Sequence, residues 1–190
     1  MAEDAFQSIL EVICAELDAN GLCYALTGSI VSSIYGEPIT SLDVDVCLRM
    51  TTAQARALSS SLPRRFYRSD EALAQCAERG GMANLVDMDT GIKVDLSVLP
   101  DEPYYDSVLA RRQKVAYDPG GSAFWTVSAE DIILMKLQWR RDSRSQKQWD
   151  NALSVVRVQG GRLDWQYLRE WAGTLGLATD LTALREAAGI

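Results

Sequence analysis

The chain has no histidine among its 190 residues. Ser–His and Cys–His nucleophiles are therefore excluded, and acid–base chemistry falls to carboxylates, lysine or tyrosine. The four cysteines, at positions 14, 23, 47 and 76, form no Cys-x-x-Cys pair. Without histidine beside them they leave a structural zinc site almost no ligands, and a reducing compartment leaves no role for disulfides. No apolar run reaches ~18 residues, so no membrane span is expected. The opening Met1-Ala2-Glu3-Asp4 is acidic and lacks an apolar signal core, so the expected location is the cytoplasm. Positive charge is also in short supply. Lysine and arginine total 19 against 26 aspartates and glutamates, a formal charge of −7. That weighs against bulk electrostatic binding of nucleic acid, leaves room for a local basic face and suits a cationic substrate.

What is present suffices for a core, at 47% hydrophobic residues. Phe6, Ile9, Leu10, Ile13 and Leu17 recur at helical spacing and stop at Asn20-Gly21. Short strands are predicted over 22–26, 42–48, 64–67, 114–117 and 124–127, with helices over 30–35, 53–60, 70–79 and 103–112. From 128 onward the pattern is helical: 128–141, 145–158, 164–174 and 177–188. The run Asp118-Pro119-Gly120-Gly121-Ser122 is the clearest break. The expectation is an α/β (α+β) chain with a core over 1–122 and a C-terminal helical region over 123–190 packed on it. A three-residue turn, Asp89-Thr90-Gly91, predicts a hairpin pairing Met88 with Ile92, Asp87 with Lys93 and Val86 with Val94. In that register Val86, Met88, Ile92, Val94, Leu96 and Val98 form the core face, and Asp87, Lys93, Asp95 and Ser97 the other.

The chemistry concentrates in carboxylates. Asp43 and Asp45 are two apart on a strand and share a face, while Val44 and Val46 point the other way. Such a pair repels itself and is either a solvated strand face or one neutralised by a divalent cation. Oxygen ligands alone suit magnesium or manganese. Asp95 lies on the polar face of an otherwise apolar strand. It is either a third carboxylate beside the pair or the partner of a nearby lysine, and Asp87 is assigned to Lys93. Upstream, Gly28-Ser29 joins a strand to a helix whose first N–H groups can meet a phosphate, although such a turn is most often only a turn. Lys136 shares a helix face with Ile132, Ile133 and Trp139, so it either snorkels to water or is aimed into a site. Asp150 is either solvated or an orienting partner for it.

Taken together, Thr27-Gly28-Ser29, Asp43-Val44-Asp45 and the stretch 93–99 around Asp95 resemble the nucleotidyltransferase superfamily of DNA polymerase β-like enzymes. The 128–139 segment with Lys136, followed by Asp150, resembles its bacterial branch that includes the abortive-infection type IV nucleotidyltransferase toxins. The resemblance implies a mixed β-sheet core flanked by helices. It implies Asp43, Asp45 and Asp95 as catalytic ligands of Mg²⁺ or Mn²⁺, with Asp95 also helping to activate the attacking hydroxyl. Gly28, Ser29 and Lys136 would bind the NTP. Ile39 stands where many relatives carry arginine, and Ser41 where they carry threonine; Arg111, Arg112, Arg140, Arg141 and Arg144 are candidate substitutes for the missing cation.

The implied function is transfer of a nucleoside monophosphate from an NTP to an acceptor hydroxyl, with release of pyrophosphate. The acceptor is a small molecule such as an aminoglycoside-like cation, a tRNA or a protein, and an antitoxin-like partner goes with the toxin-type branch. A non-catalytic nucleotide- or partner-binding module with the same fold is the alternative. A third reading, nucleic-acid binding, would use the two tryptophans and the cations of 139–149.

Overall fold

A computed structural model of the chain describes residues 2–41, 43–116 and 122–190. Met1, Leu42 and residues 117–121 lie outside them, and with these the end of the predicted 114–117 strand and most of the predicted break at 118–122. The elements run α1 (Ala2–Ala19), β1 (Cys23–Leu26), α2 (Gly28–Tyr35), β2 (Asp43–Arg49), α3 (Thr52–Ser61), β3 (Phe66–Tyr67), α4 (Asp70–Arg79), β4 (Gly81–Asp87) and β5 (Lys93–Val98). They continue with α5 (Pro103–Ala110), β6 (Gln113–Ala116), β7 (Ala123–Thr126), α6 (Ala129–Ser143), α7 (Gln146–Gln159), α8 (Trp165–Thr174) and α9 (Ala178–Ala188).

Contacts divide the chain into two units. One comprises residues 1–26 and 41–126, the other 27–40 and 127–190. The first holds a seven-stranded mixed sheet in the order β3-β4-β5-β2-β1-β7-β6. β2 pairs β1 antiparallel and β5 parallel, which puts the two acid-bearing strands side by side. Their buried face is Val44 and Val46 on β2 and Val94 and Leu96 on β5, with α1 contributing Leu10, Ile13 and Leu17 to the same unit's core. Strict alternation along Lys93–Val98 follows from the pleat: apolar side chains point inward and polar ones outward. Thr51 closes a capping box on α3 with Gln54, and Ser69 caps α4 through the Ala72 N–H.

The second unit is helical. α2 packs on α6 and α7, and α9 on α7 and α8. Ile132, Ile133, Val155, Val156 and Leu168 are buried there. Gly36, which ends α2, sits so close to α7 that a Cβ would meet Ser154 Oγ at 2.6 Å.

The predicted hairpin register is off by one. β4 pairs Val86 with Lys93, Leu85 with Val94 and Asn84 with Asp95. The turn holds four residues, Met88 to Gly91, closed by Asp87 N–H donating to the Ile92 carbonyl (2.9 Å) with Gly91 at φ 74°. The extra residue moves every β4 side chain to the opposite face. Ala83, Leu85 and Asp87 are therefore buried, whereas Met88, expected in the core, is 66% exposed. Asp87 does not pair with Lys93. Its Oδ1 lies 3.3 Å from Arg65 Nε, and its Oδ2 accepts from Thr90 Oγ1 at 2.7 Å. Thr90 Oγ1 in turn accepts from the Ile92 N–H. These contacts hold the longer turn.

Candidate active site

The acids are brought together by strand pairing. Asp45 stands opposite Asp95, and Asp43 opposite Lys93, along the parallel β2–β5 pair. In a parallel ladder, residues in register point to the same side of the sheet, so Asp43, Asp45, Lys93 and Asp95 share one face. Asp43 is exposed, and Asp45 and Asp95 are half-buried.

The charge on that face is partly compensated from within the chain. Lys93 Nζ lies 2.8 Å from Asp95 Oδ1 and 2.9 Å from Oδ2. Asn84 Nδ2, across the β4–β5 pair, donates to Asp95 Oδ1 as well. The hydrogen bond to Asp95 holds the Lys93 ammonium above the usual lysine value, and the charges of Asp95, Asp43 and Asp45 add to this against partial desolvation. Of the two alternatives for Asp95, partner of a nearby lysine or third carboxylate beside the pair, the first describes its side chain and the second its place in the sheet. Among the described residues, no group of three or more histidine, cysteine, aspartate or glutamate side chains converges closely enough to hold a metal ion. Asp95 is turned toward Lys93 and Asn84 instead. The donor set itself still suits a hard divalent cation: three carboxylates on one sheet face, where a cationic side chain already sits.

Lys93 and Asn84 were not singled out as site residues by sequence. The signal for Lys93 was its i, i+2 spacing to Asp95. Asn84 became visible only once the register was known.

In the helical unit, α2 starts at Gly28 with φ 72°, and its N-cap Thr27 makes no side-chain cap bond. The Thr27 hydroxyl faces Met135 Sδ at 3.4 Å instead. No acidic residue occupies the first turn of α2. Helix starts of this kind have backbone donors and a positive dipole end suited to an anion. The Ser29 side chain is buried beside them.

Lys136 does not snorkel: it is 2% exposed, with Nζ 5.0 Å from the Trp139 ring centroid. Its helix is anchored by Ser128, whose Oγ accepts from the Asp131 N–H (3.1 Å) and donates to Asp131 Oδ2 (2.6 Å). The Tyr167 hydroxyl donates to Asp131 Oδ1 at 2.7 Å. Asp150 is exposed and accepts from Gln146 Nε2.

Three of the candidate arginines have other engagements. Arg112 stacks on Trp125 and donates to the Leu109 carbonyl, Arg140 pairs with Asp180, and Arg141 donates to the Leu175 carbonyl. Arg144 ends α6 in the left-handed conformation. Trp139 and Trp149 lie under Lys136 and Arg140, which fits helix packing better than base stacking.

No family profile matches the chain, and no curated protein matches it. Solved structures do. An antigenic nucleotidyltransferase-like protein from Paracoccidioides brasiliensis superposes with a TM-score of 0.58 at 20% identity, over 97% of this chain and 93% of that one. The antibiotic-resistance factor ANT(2'')-Ia in solution gives 0.57 at 14% identity, over 96% and 98%. A candidate nucleotidyltransferase from Thermotoga maritima gives 0.51 at 18% identity, over 80% and 96%. The fold is thus that of nucleotidyltransferases. Among the described residues, no helix is long and apolar enough to cross a membrane.

Proposed function

We propose that this nucleotidyltransferase-type fold carries out nucleotidyl transfer. An acceptor hydroxyl oxygen attacks the α-phosphorus of an NTP, the bond from that phosphorus to the bridging oxygen breaks, and pyrophosphate leaves. One observation supports this above the others: Asp45 and Asp95 stand in register on adjacent parallel strands, with Asp43 on the same face.

In this assignment Asp43, Asp45 and Asp95 hold a divalent metal, Mg²⁺ or Mn²⁺. When bound, the cation supplies charge neutralisation at the transferring phosphate. Asp95 takes the proton from the attacking hydroxyl and passes it to solvent. The amides at Gly28 and Ser29 orient the NTP phosphates. Lys136, already desolvated, offers a point charge to the departing pyrophosphate. The acceptor classes to be tried are an aminoglycoside-like cation, tRNA and a protein hydroxyl, the last two in keeping with the toxin-type resemblance.

Purified protein incubated with labelled NTPs, Mg²⁺ and cell extract is expected to label an acceptor, and the Asp43→Asn/Asp45→Asn variant is not. Equal labelling by both would sink the assignment. The alternative, a module that binds nucleotide without turnover, is favoured by the Lys93–Asp95 pair and by Ile39 in place of a cation. Tight NTP binding with no labelled acceptor in any class would decide for it.

A further inference from the structure

We propose that Lys93 is a built-in counter-ion: it holds the carboxylate face in the absence of metal and must release Asp95 when a divalent cation binds. This rests on the reading of Asp43, Asp45 and Asp95 as metal ligands.

Lys93 is two residues before Asp95 on β5 and directly opposite Asp43 on β2, so its side chain shares the acidic face, at the start of β5. Its ammonium touches both oxygens of Asp95, at 2.8 and 2.9 Å. An ammonium and a divalent ion on one carboxylate repel strongly at such separations. Cation binding at Asp95 is therefore an exchange.

The lysine is built to be exchanged. Its side chain is 42% exposed, and its flexible four-carbon stem can carry the charge into water. The other aspartate at this end of the hairpin, Asp87, offers a contrast. It is 0% exposed and held by Arg65 and by the turn residue Thr90, as a structural pair is. Asn84, which also donates to Asp95, keeps the carboxylate oriented after the lysine has left.

The probe is Mn²⁺ alone, titrated into metal-free protein and followed by electron paramagnetic resonance of the free ion, without nucleotide. Wild type, Lys93→Met, Lys93→Gln and Asp45→Asn are compared. Both neutral variants at 93 are expected to bind Mn²⁺ about threefold to tenfold more tightly than wild type, the range set by a partly exposed ion pair. They are also expected to melt lower than wild type without metal, and to gain more on its addition. Asp45→Asn is expected to lose binding. If Asp45→Asn loses binding while both Lys93 variants bind no more tightly than wild type, the counter-ion role alone is overturned. If Asp45→Asn binds as wild type does, or neither wild type nor the Lys93 variants bind, the ligand assignment falls and the counter-ion role with it. A cooperative melt of either Lys93 variant is enough to qualify it, so one misfolded variant leaves the test intact.

Discussion

Asp45 and Asp95 face each other across two parallel strands, fifty residues apart in sequence (45 to 95), and Lys93 bridges to the second of them. Two carboxylates in register with a third two residues away form an arrangement that costs stability unless a cation compensates it. Function and stability are therefore expected to pull in opposite directions at this face.

Replacing Asp45 with Asn removes one negative charge from the cluster without changing side-chain shape. Nucleotidyl transfer is expected to fall by about a hundredfold or more, since loss of even an outer-shell partner of a metal costs up to that. Thermal stability is expected to hold or rise, because repulsion is relieved. Labelled-NTP turnover and a melting curve on the same preparation check both halves.

Asp87→Ala is expected to do the reverse. The carboxylate is fully buried, and its removal strands Arg65 and unties the four-residue turn through Thr90. A loss of about 2–3 kcal/mol, or about 5–10 °C in melting temperature, is expected, somewhat below the range for fully buried pairs because Arg65 is partly exposed. Urea unfolding of the variant measures it.

Tyr167→Phe deletes the hydroxyl that ties α8 to the start of α6 through Asp131. Asp131 keeps its bonds to Ser128, so the loss is expected to be about 1–2 kcal/mol rather than a collapse of the helix pair. Amide exchange within 129–136, compared with wild type, localises the effect.

The thiols are expected to react unequally. Cys14, Cys47 and Cys76 are buried, and Cys23 is half-buried. A disulfide reagent at neutral pH should therefore modify Cys23 first, and Cys23→Ser should abolish that fast phase. Burial pushes the Cys14 thiol up from 9.0 to about 12 and raises the Tyr24 phenol as well. The folded state thus favours the neutral thiol. The stability this contributes is present below pH 9 and lost as pH rises toward 12. Melting temperature is expected to fall over pH 9–11, and less steeply in Cys14→Ala.

Most of the scaffold was legible because its signals are local. The Asp43-Val44-Asp45 alternation placed two acids on one face, and the helices predicted from 70 and from 128 start within a residue of α4 and α6. The hairpin register was not legible. A three-residue and a four-residue turn both end in Gly91, and the choice between them lies in contacts from Arg65 and Thr90 to Asp87. Arg65 lies twenty-two residues earlier in sequence (65 to 87) and is no turn residue at all. The same slip hid Asn84 and sent Lys93 to the wrong aspartate. The burial of Lys136 was equally open from sequence, because a lysine among Ile132, Ile133 and Trp139 fits either a snorkelling or a desolvated side chain.

The β2–β5 pairing also bears on how the protein comes into being. Pairing two strands fifty residues apart demands closure of a long loop, which makes it a slow contact to form, whereas the β4–β5 hairpin closes locally. During synthesis the hairpin can form as soon as β5 has emerged, and it arrives at β2 with Lys93 already beside Asp95. The third acid thus docks as part of a neutral pair rather than as a bare charge. The step that would bring three like charges together is screened by the chain's own cation, the same Lys93 that stays beside Asp95 in the closed sheet.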